Sequence, residues 1–178
     1  MSATALATPA PPATPFQLDT ARFAPANRRR LSGPGMRAFL GIADLWGLSE
    51  AQRLLVLGLP ARSTYHAWAR AARAGAGAGA AVTLPVDTLL RISAVLGIHK
   101  ALRILFPTEA EAAAWLRGAH AAAPFGGQAP LALVTGGTQD GLMAVRRFLD
   151  AARGGLFMAP NAADRDAAPL TDADIAIV

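Results

Sequence analysis

Residues 49–73, Ser49-Glu50-Ala51-Gln52-Arg53-Leu54-Leu55-Val56-Leu57-Gly58-Leu59-Pro60-Ala61-Arg62-Ser63-Thr64-Tyr65-His66-Ala67-Trp68-Ala69-Arg70-Ala71-Ala72-Arg73, hold two helical patterns divided by a Gly- and Pro-bearing turn. Ser49 with Gln52 three residues later is a capping box, in which hydroxyl and amide each satisfy a free backbone N–H. Leu54, Leu55 and Leu57 supply the buried side of this short helix, and Gly58 ends it. The next helix begins near Arg62-Ser63-Thr64, where either hydroxyl can serve as cap. Tyr65, Trp68, Ala69 and Ala72 fall at i, i+3, i+4 and i+7 and define one apolar face.

Arg62, His66, Arg70 and Arg73 recur at i, i+4, i+8 and i+11, so the opposite face is a basic stripe led by Ser63 and Thr64. A short helix, a tight connection and a basic, hydroxyl-led helix form the pattern of a helix-turn-helix reader. The apolar back locks the angle between helices, and the polar front presents donors to base edges in the major groove. Arg62, Ser63, Thr64, His66, Arg70 and Arg73 are the candidate DNA-contacting residues; a solvated helix face is the plainer reading of the same stripe. Tyr65 and Trp68 belong to the core by their spacing.

The flanking sequence is helical as well. Met36, Phe39, Leu40, Ala43 and Trp46 form an apolar face closed by Gly47, and Thr83-Leu84-Pro85 opens a helix running to Gly97. A further helix is expected over residues 98–106, and Thr108-Glu109-Ala110-Glu111 caps the one carrying Trp115 and Leu116. Pro124, Gly126, Gly127 and Pro130 punctuate a turn. Leu131 to Val134 make a short apolar helix, and Thr138 caps the last long one, with Leu142, Val145, Leu149 and Ala152 inward. With strand-favouring residues sparse, the fold class is all-α.

Composition narrows function. There is no Cys, which excludes disulfides, thiolate metal sites and cysteine nucleophiles. Three scattered His and no carboxylate pair on one helical face assemble no nucleophile–base or metal constellation. The reading is therefore no enzyme, no catalytic residue, no cofactor and no metal. The AGAGAGAA run at residues 74–81 is not a phosphate loop, because no strand precedes it and GxxxxGK[ST] is absent. Residues 1–107 carry twelve Lys/Arg against four Asp/Glu and residues 108–178 five against eight, within a net charge of +5. A basic front and an acidic end point to two partners of different kinds, nucleic acid leading for the first. Residues 1–34, rich in Pro, Ala and Thr and ending near Arg28-Arg29-Arg30, are expected to be a disordered arm, with no signal peptide and no membrane span. A cytoplasmic location is expected. Residues 156–178 are acidic and end in Ile175-Ala176-Ile177-Val178, a loose tail or a peptide that orders on a partner.

His99-Lys100-Ala101-Leu102 with Phe106-Pro107, then Trp115-Leu116, Phe125-Gly126-Gly127-Gln128-Ala129-Pro130-Leu131, and Arg146 to Ala151 through Gly154-Gly155 together resemble the Xre/MbcA/ParS antitoxin family. The resemblance implies the antitoxin of a type II toxin–antitoxin pair. Covering about residues 36–155, it implies an Xre-like helix-turn-helix region (35–106) and a small helical toxin-binding domain (107–155), between the arm (1–34) and the tail (156–178) read from composition. Its partner would be a cognate RES-domain toxin that consumes NAD, inhibited by covering of the active site. Promoter DNA bound as an autorepressor and a homodimer within a hetero-oligomeric complex complete the expectation. Toxin-contacting residues would be Trp115, Phe125, Gly126, Gly127, Gln128, Pro130, Leu131, Arg146 and Arg147, with Asp172 and Asp174 of the tail drawn to an arginine-lined NAD pocket. A stand-alone helix-turn-helix repressor with a C-terminal dimerisation domain is the alternative. An isolated gene would favour it over a two-gene operon.

Overall fold

A computed structural model describes residues 20–74 and 82–155, and all the regular structure there is helical. After a single 3-10 turn at Ala21–Phe23 come α1 (Pro25–Leu45), α2 (Glu50–Val56), α3 (Arg62–Ala74), α4 (Val86–Leu105), α5 (Glu109–Arg117), α6 (Pro130–Val134) and α7 (Gln139–Arg153). The middle of the molecule is α4, which packs against α1 and also against α7. Through it the helix-turn-helix half and the C-terminal half share one core, from Met36 and Phe39 through Ile92, Ile98 and Leu102 to Leu116, Leu142 and Leu149. Each such side chain, taken fully out of water, contributes roughly 1.5–3 kcal/mol.

Three expectations are corrected. The arm expected over residues 1–34 gives way to helix at Pro25, which as first helical residue has its φ preset and no N–H to leave unpaired. What holds residues 25–34 in α1 comes from far along the chain. The Ser32 hydroxyl, fully buried, donates to the Arg28 carbonyl at 2.6 Å and accepts the Leu84 N–H at 2.8 Å. That stitch and the buried Met36 and Phe39 carry the helix past Pro34, which lacks the N–H that the carbonyl four residues earlier needs. Residues 1–19 lie outside the described residues, as do 75–81 and 156–178.

The second correction concerns Gly97, expected to end a helix. The helix instead continues through it as one element, α4. Its flanks, Ile92, Val95, Ile98 and Leu102, are all buried, so packing on both sides outweighs the helix-weakening cost of one glycine, about 1 kcal/mol.

Elsewhere local chemistry accounts for the ends. Ser49 and Gln52 form the capping box at α2. At its other end Gly58 takes φ +87° and the Leu59 N–H returns to the Leu54 carbonyl at 2.8 Å, a left-handed close. Gly47, at φ +61°, ends α1 in the same manner. Ser63 and Thr64 do not cap α3; they fall inside its first turn, whose bonding starts from Tyr65 N–H to Ala61 carbonyl.

Candidate partner-binding module and basic face

The C-terminal module is built on a ring of aromatics. Trp115 of α5 stacks on Phe148 of α7 (centroids 6.1 Å, 20° between planes), meets Phe125 edge-on at 5.8 Å, and contacts Phe106 and His120 at 6.0 and 4.8 Å. Phe125 in turn stands edge-on to Phe148 at 4.8 Å. Such pairs add about 0.5–1.5 kcal/mol each beyond area burial. His120 is oriented by a 2.8 Å hydrogen bond between Nε2 and the Trp115 carbonyl. Two helices, the C-cap of α4 and a loop are thereby held about one indole.

That loop, residues 118–129, folds back on itself. The His120 N–H donates to the Gln128 carbonyl and the Gly127 N–H to the His120 carbonyl. Gly126 and Gly127 sit at φ +54° and +83°, and a Cβ on either would meet nothing within 4 Å, so the glycines serve the turn and the tip faces open space. Of the expected contact residues, Gly126, Gly127 and Gln128 are exposed at this tip. Trp115 and Leu131 are half-buried. Phe125 and Pro130 are buried, Phe125 within the aromatic ring behind the turn and Pro130 at the start of α6.

Arg146 and Arg147 part company. Arg147 is exposed. Arg146, expected to face solvent or a partner, keeps 33% of its side chain exposed while lying across α4, donating to the Ser93 carbonyl at 3.3 Å and pairing with Asp150 at 3.5 Å. Asp150 also takes Arg153 at 3.3 Å. Asp172 and Asp174 lie outside the described residues.

On α3, Tyr65, Ala69 and Ala72 are buried and the basic stripe is exposed, as its spacing predicts. The structure adds Glu50, the first residue of α2, which local spacing did not implicate. Its carboxylate pairs with Arg62 at 2.8 Å and lies 3.4 Å from His66 Nε2. Arg70 and Arg73 carry no ion pair among the described residues. Ser63 is exposed and Thr64 half-buried.

Two arginines that periodicity did not single out join the halves. Arg117 of α5 donates to the Trp46 carbonyl at 2.7 Å, placing a cation on the negative end of α1. Arg91 of α4, bonded to Asp87 at 2.7 Å, also donates to the Gly137 carbonyl at 3.0 Å, just before the Thr138 cap of α7. Each bond spans residues too distant in sequence for a local pattern to reveal. Among the described residues no group of His, Asp or Glu could hold a metal ion, and no helix is long and apolar enough to cross a membrane.

Short helices α2 and α3 at the front share one core with a compact aromatic-centred module, which makes this an all-helical protein throughout the described residues. Residues 101–155, from the last turns of α4 to the end of the glycine pair, match the family described as antitoxin Xre/MbcA/ParS C-terminal toxin-binding domain. The chain belongs to that antitoxin family. It is also 40% identical over 120 residues to a protein of Sinorhizobium fredii (strain NBRC 101917 / NGR234) described as uncharacterized protein y4oB, a match spanning 67% of this chain and 84% of that one.

Proposed function

We propose that this chain binds and inhibits a cognate RES-domain, NAD-consuming toxin by covering its active site, and that it also binds its own promoter DNA as an autorepressor. The observation that carries the first half is the toxin-binding-domain match over residues 101–155, laid on a module whose aromatics face inward and whose loop tip stays open. Gly126, Gly127, Gln128 and Arg147 are the contact residues, with Trp115 and Leu131 at the edge. Asp172 and Asp174 of the tail act as carboxylate ligands for arginines in the toxin's NAD pocket. Co-expression with the product of the neighbouring gene tests this: cell NAD is preserved by the full chain and falls when residues 160–178 are removed. Depletion of NAD despite the full chain refutes inhibition, and full protection by the truncated chain refutes the role of the tail.

The DNA half is supported by the exposed cationic stripe of α3 on a helix-turn-helix frame. A homodimer is supported by Leu31, Leu90 and Leu96, exposed along an apolar groove between α1 and α4. Arg70→Ala is expected to weaken retardation of the upstream DNA, and Leu90→Glu to shift the particle mass toward a monomer. Unchanged mobility or mass counts against the respective half.

A further inference from the structure

The basic face of α3 does not stop at its last turn. Arg37 of α1 donates from Nη1 to the Ala72 carbonyl at 3.1 Å, which brings its guanidinium beside the residue preceding Arg73. The same guanidinium rests near Gly33, where a Cβ would lie 3.6 Å away. Arg30 precedes Arg37 by seven residues, two turns, and so shares its face of α1. Arg30, Arg37, Arg70 and Arg73 are all exposed, and none has an ion pair among the described residues. Residues 20–43 contain no carboxylate, nor does α3. At the other end of the stripe Glu50 already pairs with Arg62 and lies beside His66, so the uncompensated charge is concentrated where α1 meets the end of α3.

The carbonyl end of a helix carries partial negative charge and would repel phosphate. Here Arg37 hydrogen-bonds one of those carbonyls and Arg73 stands in the same last turn, which reverses the sign of that end. Arg37 spends one donor on Ala72, leaving others of its planar fork for a phosphate oxygen. We propose that Arg30 and Arg37 of α1, together with Arg70 and Arg73 of α3, form a single surface that grips the phosphate backbone of duplex DNA. This rests on the DNA-binding reading above and adds where the sequence-independent part of that binding resides. Phosphate contacts set position and affinity without selecting sequence.

The test uses the full chain and two labelled duplexes of equal length, the upstream region and an unrelated sequence, titrated from about 50 to about 200 mM salt. Arg30→Gln is compared with Arg30→Gln/Arg37→Gln, the single variant sparing the Ala72 bond. Both duplexes are expected to weaken by the same factor, with their affinity ratio unchanged. The slope of log affinity against log salt should drop by about 0.9 for each lost contact. Wild-type binding with unchanged slopes in both variants overturns this surface while leaving the DNA reading intact. Wild-type protein that binds neither duplex removes the DNA reading itself, and this surface with it. Unchanged slopes joined to lost binding of polyglutamate would assign the patch to an acidic polypeptide and also overturn it.

Discussion

Arg146 lies directly over Gly97: a Cβ on that glycine would sit 2.7 Å from Arg146 Nε. The glycine in mid-α4 is thus the seat of an arginine from α7. Gly97→Ala would push aside only the end of a flexible side chain. The variant gains about 0.8–1 kcal/mol of helix propensity. It loses a hydrogen bond and an exposed ion pair together worth a similar amount. Urea denaturation should show a net change within about 1 kcal/mol. A loss above about 2 kcal/mol would show that Arg146 cannot leave its seat.

Gly141 presents the opposite case. A Cβ there would collide with the Leu133 backbone carbonyl and approach the Thr138 cap hydroxyl to 3.1 Å. The carbonyl cannot step aside without moving α6 off α7, and the hydroxyl cannot without giving up the α7 cap. Gly141→Ala should cost about 1–3 kcal/mol and lower the melting temperature by several degrees. A melting point equal to wild type would mean that α6 re-seats freely.

Ser32→Ala leaves the buried Leu84 N–H without its acceptor. The expected loss is about 1–3 kcal/mol, the desolvation cost of an unpaired buried donor. Hydrogen exchange at Leu84 should accelerate in the variant, and retained protection would indicate that another acceptor takes over.

His99 stands in α4 with its ring 6.4 Å from Trp46. Burial, and then the charge of Arg103, hold its pKa below the ordinary 6.5, with Glu109 opposing them. The folded chain therefore takes this proton less readily than the unfolded chain. The stability tied to neutral His99 is complete above 6.5 and is lost progressively as pH falls from there toward the lowered folded value. His99→Gln should flatten the decline in stability as pH falls below 6.5. Parallel declines in the two proteins would assign the effect to other groups.

The faces of α3 and α7 were legible because they depend on neighbours three and four residues apart. Tyr65, Ala69 and Ala72 are buried, as are Leu142, Val145 and Leu149. The caps at Ser49, Thr108 and Thr138 were legible for the same reason. Gly97 and residues 25–34 were not. A glycine looks alike in sequence whether it ends a helix or admits an arginine from elsewhere, and nothing near Pro34 in the chain announces that Leu84 will bond Ser32 within the helix.

The same division runs through the candidate sites. Family membership and the two opposed charges were visible in the chain alone, since motif order and composition need no third dimension. Which members of each motif remain available was decided by tertiary structure. Phe125 and Pro130 turn inward, Arg146 reaches across α4, and Arg62, though exposed, has its charge paired with Glu50, whereas Gln128, Arg147, Arg70 and Arg73 stay exposed with no ion pair among the described residues. Periodicity assigns a side chain to a face of its own helix. Whether that face meets water, a core or an opposite charge depends on contacts between residues tens of positions apart, and only the packed chain creates them.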